Sequence, residues 1–581
     1  MAPRKLFVSG LSLLLVVSVA IGVVVAHDNK GGSDGEHEKT VNSMCSGTDE
    51  QKLCQETLKD VQANGSDPKA YIAAALEATT KSVIKALNMS DRLSVDHGHK
   101  SPGVKMALDD CKDLMEFALD SIEASVNLVQ NKDMQGVHEQ TPDFRNWLSA
   151  VISYQQSCME GFDEKHDGEA KVKEQLHTQS LDLMGKLTAI TLDIVTGFAN
   201  VLESFGLALD LKPASRRLMQ ANEVDAEGFP GWMSAADRKL MATGGHHGGR
   251  GGHHGGGGGP NAVVAKDGSG QFKTVKDAIN SYPNGFKGRY VIYIKAGVYD
   301  EYITIPKTAA NILMYGDGPT KTIITGHKNF VDGVKTMQTA SFANTAPGFI
   351  AKSMAFENSA GWAKHQAVAF RNQGDMSAFY DVAFHGYQDT LYVQANRQFF
   401  RNCEISGTID FIFGASATVI QNSRIIVRKP GPHQFNTVTA DGTSQKNMAT
   451  GIILQNCEII PERELYPDRL TVKSYLGRPW KQYAKTVVME SNIGDVISPD
   501  GWAPWEGSQF LDTLYYAEYN NMGPGSNVQG RVKWKGYHPT IDKNQAAAFT
   551  VGQFLRAGPS GLADDWLKAT GIPFDIGFTK A

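Results

Sequence analysis

Six short runs in the C-terminal half of the chain share one layout: FIAKSMAFEN (349–358), AFYDVAFHG (378–386), FFRNCEISG (399–407), VIQNSRIIV (419–427), ILQNCEIIP (453–461) and VVMESNIGD (487–495). Aligned along the apolar stretch, Phe379, Phe400 and Ile420 are separated by 21 and 20 residues, and Leu454 follows after an insertion. A β-rich unit of about 20 residues cannot bury its own apolar face, so it must stack on copies of itself. The spacing therefore predicts a solenoid from Asn261 onward, a right-handed parallel β-helix. A β-sandwich would need hairpin turns between neighbouring runs, and two-residue NG or DG loops are scarce here.

The same period bears on two aspartates, Asp389 and Asp410, which sit 21 residues apart among aromatic and β-branched neighbours in GYQDTLY and GTIDFIFG. One coil of about 20 residues puts them at the same angular position on successive coils, about 4.8 Å apart at the backbone. Two carboxylates that close do not ionise equally: one keeps a proton and the other becomes an anion, an acid beside a nucleophile. Taken singly, each aspartate is as well explained as a turn cap. Placed together at the coil period, with Tyr387, Phe411 and Phe413 to exclude water, they read as a functional pair.

The rest of the chain is organised differently. At 581 residues it exceeds what one core supports, and with a formal net charge of −5 it has no polybasic surface of the kind nucleic acid requires. After Arg4 and Lys5, residues Leu6 to Ala26 carry no charge, so 1–26 is a signal peptide or a signal anchor. Over 40–205 the apolar spacing is helical, as in Leu108, Cys111, Met115, Ala118 and Ile122, and again in Trp147, Val151, Tyr154 and Cys158. Thr141-Pro142 reads as an N-cap followed by proline in the first turn. This region is expected to be an all-α, disulfide-pinned four-helix bundle. Of the three ways to pair its four cysteines, Cys45 with Cys54 and Cys111 with Cys158 is favoured. Asn64 and Asn88 head glycosylation sequons, which fit the same oxidising compartment. Residues 206–260 carry the basic pairs Arg216-Arg217 and Arg238-Lys239, then GGHHGGRGGHHGGGGGP, and read as a protease-accessible linker rather than a metal site.

Four ordered stretches, KHQAVAFR (364–371), GYQDTLY (386–392), GTIDFIFG (407–414) and LGRPW (476–480), resemble the motifs of plant pectin methylesterases over 261–575. The helical region is similar to the inhibitor domain that precedes the enzyme in that family, and SRRLM and DRKLM resemble its processing sites. The resemblance implies that Asp410 attacks the carbonyl carbon of a galacturonate C6 methyl ester, while Asp389 protonates departing methanol. It implies amide donors to the oxyanion in Gln388 and Gln366, a hydrogen bond from Arg478 to Asp410, and sugar contacts from Trp480 and from Ser341, which stands where the family has threonine. No cofactor or metal is implied. The implied partners are methyl-esterified homogalacturonan, the chain's own helical domain in cis, separate pectinesterase inhibitor proteins and processing proteases. The implied setting is secreted, in the cell wall, with a transient membrane anchor as the alternative. The family cysteine that pairs with the one at Cys403 is here Ser423, which leaves Cys403 either a buried free thiol or paired with Cys457. From the carboxylates alone, a polygalacturonase-like glycosidase is a rival reading, and a non-enzymatic inhibitor is another.

Overall fold

The computed structural model describes residues 34–61, 67–98, 101–197, 259–557 and 564–579. The signal or anchor segment, Asn64, the basic pairs Arg216-Arg217 and Arg238-Lys239, and the His-Gly run lie outside these residues.

The helical part runs α1 (Asp34–Cys45), α2 (Gln51–Leu58), α3 (Pro68–His97), α4 (Pro102–Asn131), α5 (Met134–Glu139), α6 (Thr141–Glu160), α7 (Asp167–Leu176) and α8 (Asp182–Thr196). A single π-helical turn, His177–Leu181, joins the last two into one rod, so α3, α4, α6 and α7–α8 make the four rods of the bundle. The long helices start where proline occupies the first turn behind a polar cap: Asp67 accepts from the Lys69 amide and Ser101 from the Val104 amide. Thr141 departs from the expectation. It opens α6 behind Gln140, and its hydroxyl turns back to the Val137 carbonyl instead of capping the helix. The stripe Leu108, Cys111, Met115, Ala118 and Ile122 is buried, as the spacing predicted. Cys45 bonds to Cys54, tying α1 to α2, and Cys111 bonds to Cys158, tying α4 to α6. Asn88 is exposed on α3.

From Ala262 onward every strand pairing among the described residues is parallel, in one sheet of seventeen strands and one of seven. The register follows the repeat alignment: Phe379 pairs with Phe400, Phe400 with Ile420, Ile420 with Leu454 and Leu454 with Val488. The interior is filled by stacked aromatics, the Phe379 and Phe400 rings lying 4.4 Å apart and nearly parallel at 12°. One corner of the coil repeats with a left-handed residue two positions after each of these core residues and after Glu518, which pairs with Val488: Asp381, Asn402, Asn422, Asn456, Glu490 and Asn520, with φ between 49° and 54°. Five of those six are Asn or Asp, the side chains that tolerate that conformation best among non-glycine residues.

The position after that corner carries Cys403, Ser423, Cys457 and Ser491 on four successive coils. The Cys403 amide donates to the Ser423 hydroxyl and the Cys457 amide to that of Ser491. The two thiols are thus two coils apart, about 10 Å at the backbone. A disulfide requires Cα atoms within about 7 Å, so both cysteines are free and buried. That settles the alternative left open by the sequence.

Burial pushes both thiols up to about 12. Native protein is therefore expected to show no reaction of Cys403 or Cys457 with a thiol reagent at pH 8, and denatured protein to show two modified cysteines by mass. Ser423→Cys supplies a sulfur on the intervening coil, and an oxidised sample of that variant should lose one pair of titratable thiols; retention of three would show that the ladder is misplaced.

Candidate active site

The strands of the seven-stranded sheet fix the geometry of the two aspartates. Leu391 pairs with Ile412, and Asp389 and Asp410 each lie two residues earlier, so they face each other across adjacent coils. The Asp389 amide donates to the Ile409 carbonyl at 3.0 Å, which confirms the alignment at the aspartates themselves. Both have positive φ, 63° and 51°. A strained turn conformation held on two successive coils aims both carboxylates to the same side.

The next coils supply the groups that make the pair unequal. Arg478 follows the strand Ser474–Gly477, and its backbone amide is tied to the Thr439 carbonyl. Its guanidinium grips Asp410 in a two-pronged pair, Nε to Oδ1 at 2.8 Å and Nη2 to Oδ2 at 2.6 Å. The Thr437 hydroxyl donates to Oδ1 at 2.6 Å and accepts from the Asp410 amide at 2.8 Å. The guanidinium also lies 4.2 Å from the Trp505 ring, which keeps water from its face. Burial lowers the Arg478 pKa, but the Asp410 charge and hydrogen bonds outweigh it, and Arg478 is held charged. Asp389 has no such clamp. Burial first, and the Asp410 charge second, raise its pKa well above the usual carboxylate range, with Arg478 opposing. The result is a proton holder next to a guanidinium-paired anion.

Oxygen Oδ1 of Asp410 accepts from both Arg478 and Thr437, whereas Oδ2 accepts from Arg478 alone. A carboxylate oxygen has two in-plane lone pairs, so Oδ2 keeps one free for attack.

Gln366 and Gln388 lie on adjacent coils beside the pair, the Ala367 amide donating to the Gln388 carbonyl at 3.1 Å. Both side chains are half-buried, and Gln388 Oε1 is buried without a hydrogen-bond partner. Trp480 packs edge-on against Phe413 at 5.9 Å, and Phe413 stacks on Tyr392 at 4.3 Å. These rings, with Trp505 and Met337, form an apolar floor beside the aspartates. Tyr392 and Trp505 did not stand out in the sequence, yet Tyr392 and Phe413 are also 21 apart, each three residues after an aspartate. The coil period that found the acids also locates them. Thr437 had no such signal, because it lies beyond an insertion that breaks the period. With the bundle docked Ser341 is fully buried, and its hydroxyl donates to the Glu357 carbonyl at 2.7 Å.

The helical bundle lies over this floor. The Ser157 hydroxyl meets that of Tyr392 at 2.9 Å, Ser153 donates to the Ala415 carbonyl at 2.7 Å, and Lys481 pairs with Glu160. Arg397, itself 2% exposed, binds Asp143 of α6 and Asp375 of the β-helix, each at 2.6 Å. Lys335 pairs with Glu169 at 2.5 Å and Gln338 donates to Asp110 at 2.9 Å. The low exposure of Asp389 and Asp410, 7% and 5%, is that of a groove with this cover in place.

A family model described as "Pectinesterase" matches residues 261–558, and one described as "Plant invertase/pectin methylesterase inhibitor" matches 39–194. "Pectinesterase 4" of Arabidopsis thaliana is 40% identical over 600 residues, covering 99% of this chain and 99% of its own length. "Probable pectinesterase/pectinesterase inhibitor 13" from the same plant is 39% identical, covering 94% of this chain and 83% of its own. Among solved structures, "Pectin methylesterase from Carrot" is 50% identical with a TM-score of 0.54, and covers 56% of this chain and 100% of that one.

Deleting the neighbouring charge tests the inequality of the two acids. In Asp410→Asn the like-charge cause vanishes while burial and Arg478 remain, so the Asp389 carboxyl should titrate lower than in the parent protein but still above 3.8. Carboxyl-stretch infrared titration of aspartate-labelled protein reads this; an Asp389 pKa that rises in the variant would contradict the assignment.

Proposed function

This chain belongs to the pectinesterase family and carries an inhibitor-like helical domain, and from that premise we propose how its residues hydrolyse the methyl ester. The enzyme is a carboxylic ester hydrolase that acts on methyl-esterified pectin, releasing methanol. The single observation that supports the residue roles is the clamp on Asp410 beside an unclamped Asp389, whose pKa burial and the Asp410 charge raise.

Asp410 Oδ2 attacks the C6 carbonyl carbon. The developing oxyanion takes hydrogen bonds from the Gln366 and Gln388 amides, a contribution of about 3–4 kcal/mol for a well-placed donor. Collapse breaks the bond to methoxide, which leaves as methanol with the Asp389 proton, and Asp410 is left as an acid anhydride with the sugar. Asp389, now a base, takes a proton from water attacking the anhydride. The products are a free galacturonate carboxylate and regenerated Asp410. Arg478 and Thr437 keep Oδ1 engaged throughout, and Trp480 provides an apolar face for a sugar ring. Family membership displaces the glycosidase and non-enzyme readings.

The helical domain covers the groove, so it restrains the enzyme until the 206–260 segment is cut at Arg216-Arg217 or Arg238-Lys239 by processing proteases. Separate inhibitor proteins that resemble 40–205 would dock on the same face of 261–575. Pectin is a wall polymer, so the enzyme works outside the cell, delivered by residues 1–26 as a signal or a transient anchor, with Asn64 and Asn88 open to glycosylation.

In processed protein, Asp410→Ala should abolish methanol release from methylated pectin, and Asp389→Asn should lower kcat by roughly 10²–10⁴-fold. Full activity in the first variant would refute the nucleophile. Trp480→Ala should raise KM more than it lowers kcat.

Docking should depend on pH through Asp110. Burial at the interface, then the Asp113 and Asp109 charges, push this acid up to about 7, against the Gln338 hydrogen bond and the Arg371 charge. Released, it returns to the ordinary range near 3.8, so docking takes up a proton between about pH 4 and pH 7. A raised pKa in the docked state favours docking at low pH and weakens it as pH rises to 7. The dissociation constant of the nicked protein should increase across that window, and Asp110→Asn should flatten the dependence.

A further inference from the structure

Between the strands Ser474–Gly477 and Lys485–Met489 the chain leaves the ladder, and this irregular segment opens with Arg478 and carries Trp480 and Lys481. Backbone bonds tie it to the preceding coil at two places, from the Arg478 amide to the Thr439 carbonyl at 3.0 Å and from the Tyr483 amide to the Thr443 carbonyl at 2.9 Å. At its far end the tie is made by a side chain. The Lys485 amide donates to Oδ1 of Asp441 at 2.7 Å, and the same oxygen accepts from the Thr443 amide at 3.0 Å.

Asp441 closes the strand Asn436–Asp441, where it pairs in register with Gly414 of the coil that bears Asp410, and it is fully buried. Burial pushes its carboxyl up to about 6, against the bonds from Thr443 and Lys485 and the Lys485 charge, so it is an anion at neutral pH. Burying a carboxylate is unfavourable, and here Oδ2 has no hydrogen-bond partner to offset it. The compensation is on Oδ1, a charge-assisted acceptor shared by two amides. Through Thr443 that oxygen sets the turn 441–443, and through Lys485 it sets the end of the segment 478–484. Trp480 lies against the middle of this turn: a Cβ on Gly442 would come within 2.9 Å of Trp480 Cε3 and 3.2 Å of Cζ3. Where the indole rests therefore depends on how the turn and the segment are joined.

We propose that Asp441 is a positioning residue for the sugar contact: its Oδ1 fastens the turn 441–443 to the segment 478–485 and so fixes how far Trp480 stands into the groove. That Trp480 meets a sugar rests on the esterase reading; the fastening does not. Arg478 leaves its strand directly and is gripped by Asp410 itself, so loosening the far end of the segment moves the indole more than the guanidinium. The effect falls on substrate binding before it falls on the nucleophile.

In processed protein, Asp441→Ala should raise KM for methylated pectin several-fold and leave kcat within about twofold. Asp441→Asn keeps the accepting oxygen and places an amide nitrogen where Oδ2 has no partner, so it should restore most of the lost affinity. Gly442→Ala leaves Asp441 intact and pushes on Trp480 directly, and it should raise KM in the same way. In a Trp480→Ala background Asp441→Ala should add nothing, because the two residues act as one unit. Amide hydrogen exchange at 478–485 reads the fastening without turnover; it should quicken in Asp441→Ala and stay slow in Asp441→Asn. An additive KM increase in the double variant, a fall in kcat with KM unchanged, or an Asn variant no better than the Ala variant would overturn the assignment. Quickened exchange in Asp441→Ala beside an unchanged KM in Trp480→Ala would instead sink the sugar contact and leave the fastening standing.

Discussion

The site depends on one constraint, the parallel in-register stacking of coils. Neighbouring coils are about 4.8 Å apart, and a residue at a given angular position meets its counterpart from the next coil whether or not the chemistry favours it. For Phe379 and Phe400 the forced meeting is favourable. For Asp389 and Asp410 it is not: two ionised carboxylates at about 5 Å repel by about 3 kcal/mol even at an effective dielectric of about 20. The fold resolves the conflict from further along the same sheet, where Thr437 and Arg478 come from later coils and attend to one acid only. Acid–base inequality is therefore a product of register, and a slip of one residue would undo it by turning the carboxylates to the other face.

The repeat period made much of this legible before any coordinates. It set which core residues pair, and it set the two aspartates opposite each other. The four cysteines of the bundle were likewise readable, since α4 and α6 present Cys111 and Cys158 on buried faces. What escaped lay where the period is broken. Thr437 follows an insertion that stretches the step from Ile420 to Leu454, so no count of residues could bring it to Asp410. The hydrogen bond from the Ser341 hydroxyl to the Glu357 carbonyl likewise left no mark in the sequence. The column of Asn and Asp at the left-handed corner was visible as letters, but its meaning came only with the backbone angles.

How the bundle is held bears on how it is released. Each domain has its own apolar core, and few apolar β-helix side chains join the bundle's: Ala395, Ala415 and Met448, with Met337 partly buried beside them. The rest of the attachment is polar, including the buried pairs Arg397–Asp143 and Lys335–Glu169. Buried ion pairs add little net stability, because desolvation offsets much of their attraction, yet they are strict about geometry. An interface built this way is specific without being strongly adhesive. That suits a cover that must fit one groove and later leave it, whereas an apolar interface of the same extent would leave behind an exposed patch on the enzyme. Of the side chains uncovered here, Arg397, Lys481 and the Tyr392 hydroxyl can be satisfied by water, and the apolar floor of Phe413 and Trp480 is left for a sugar ring.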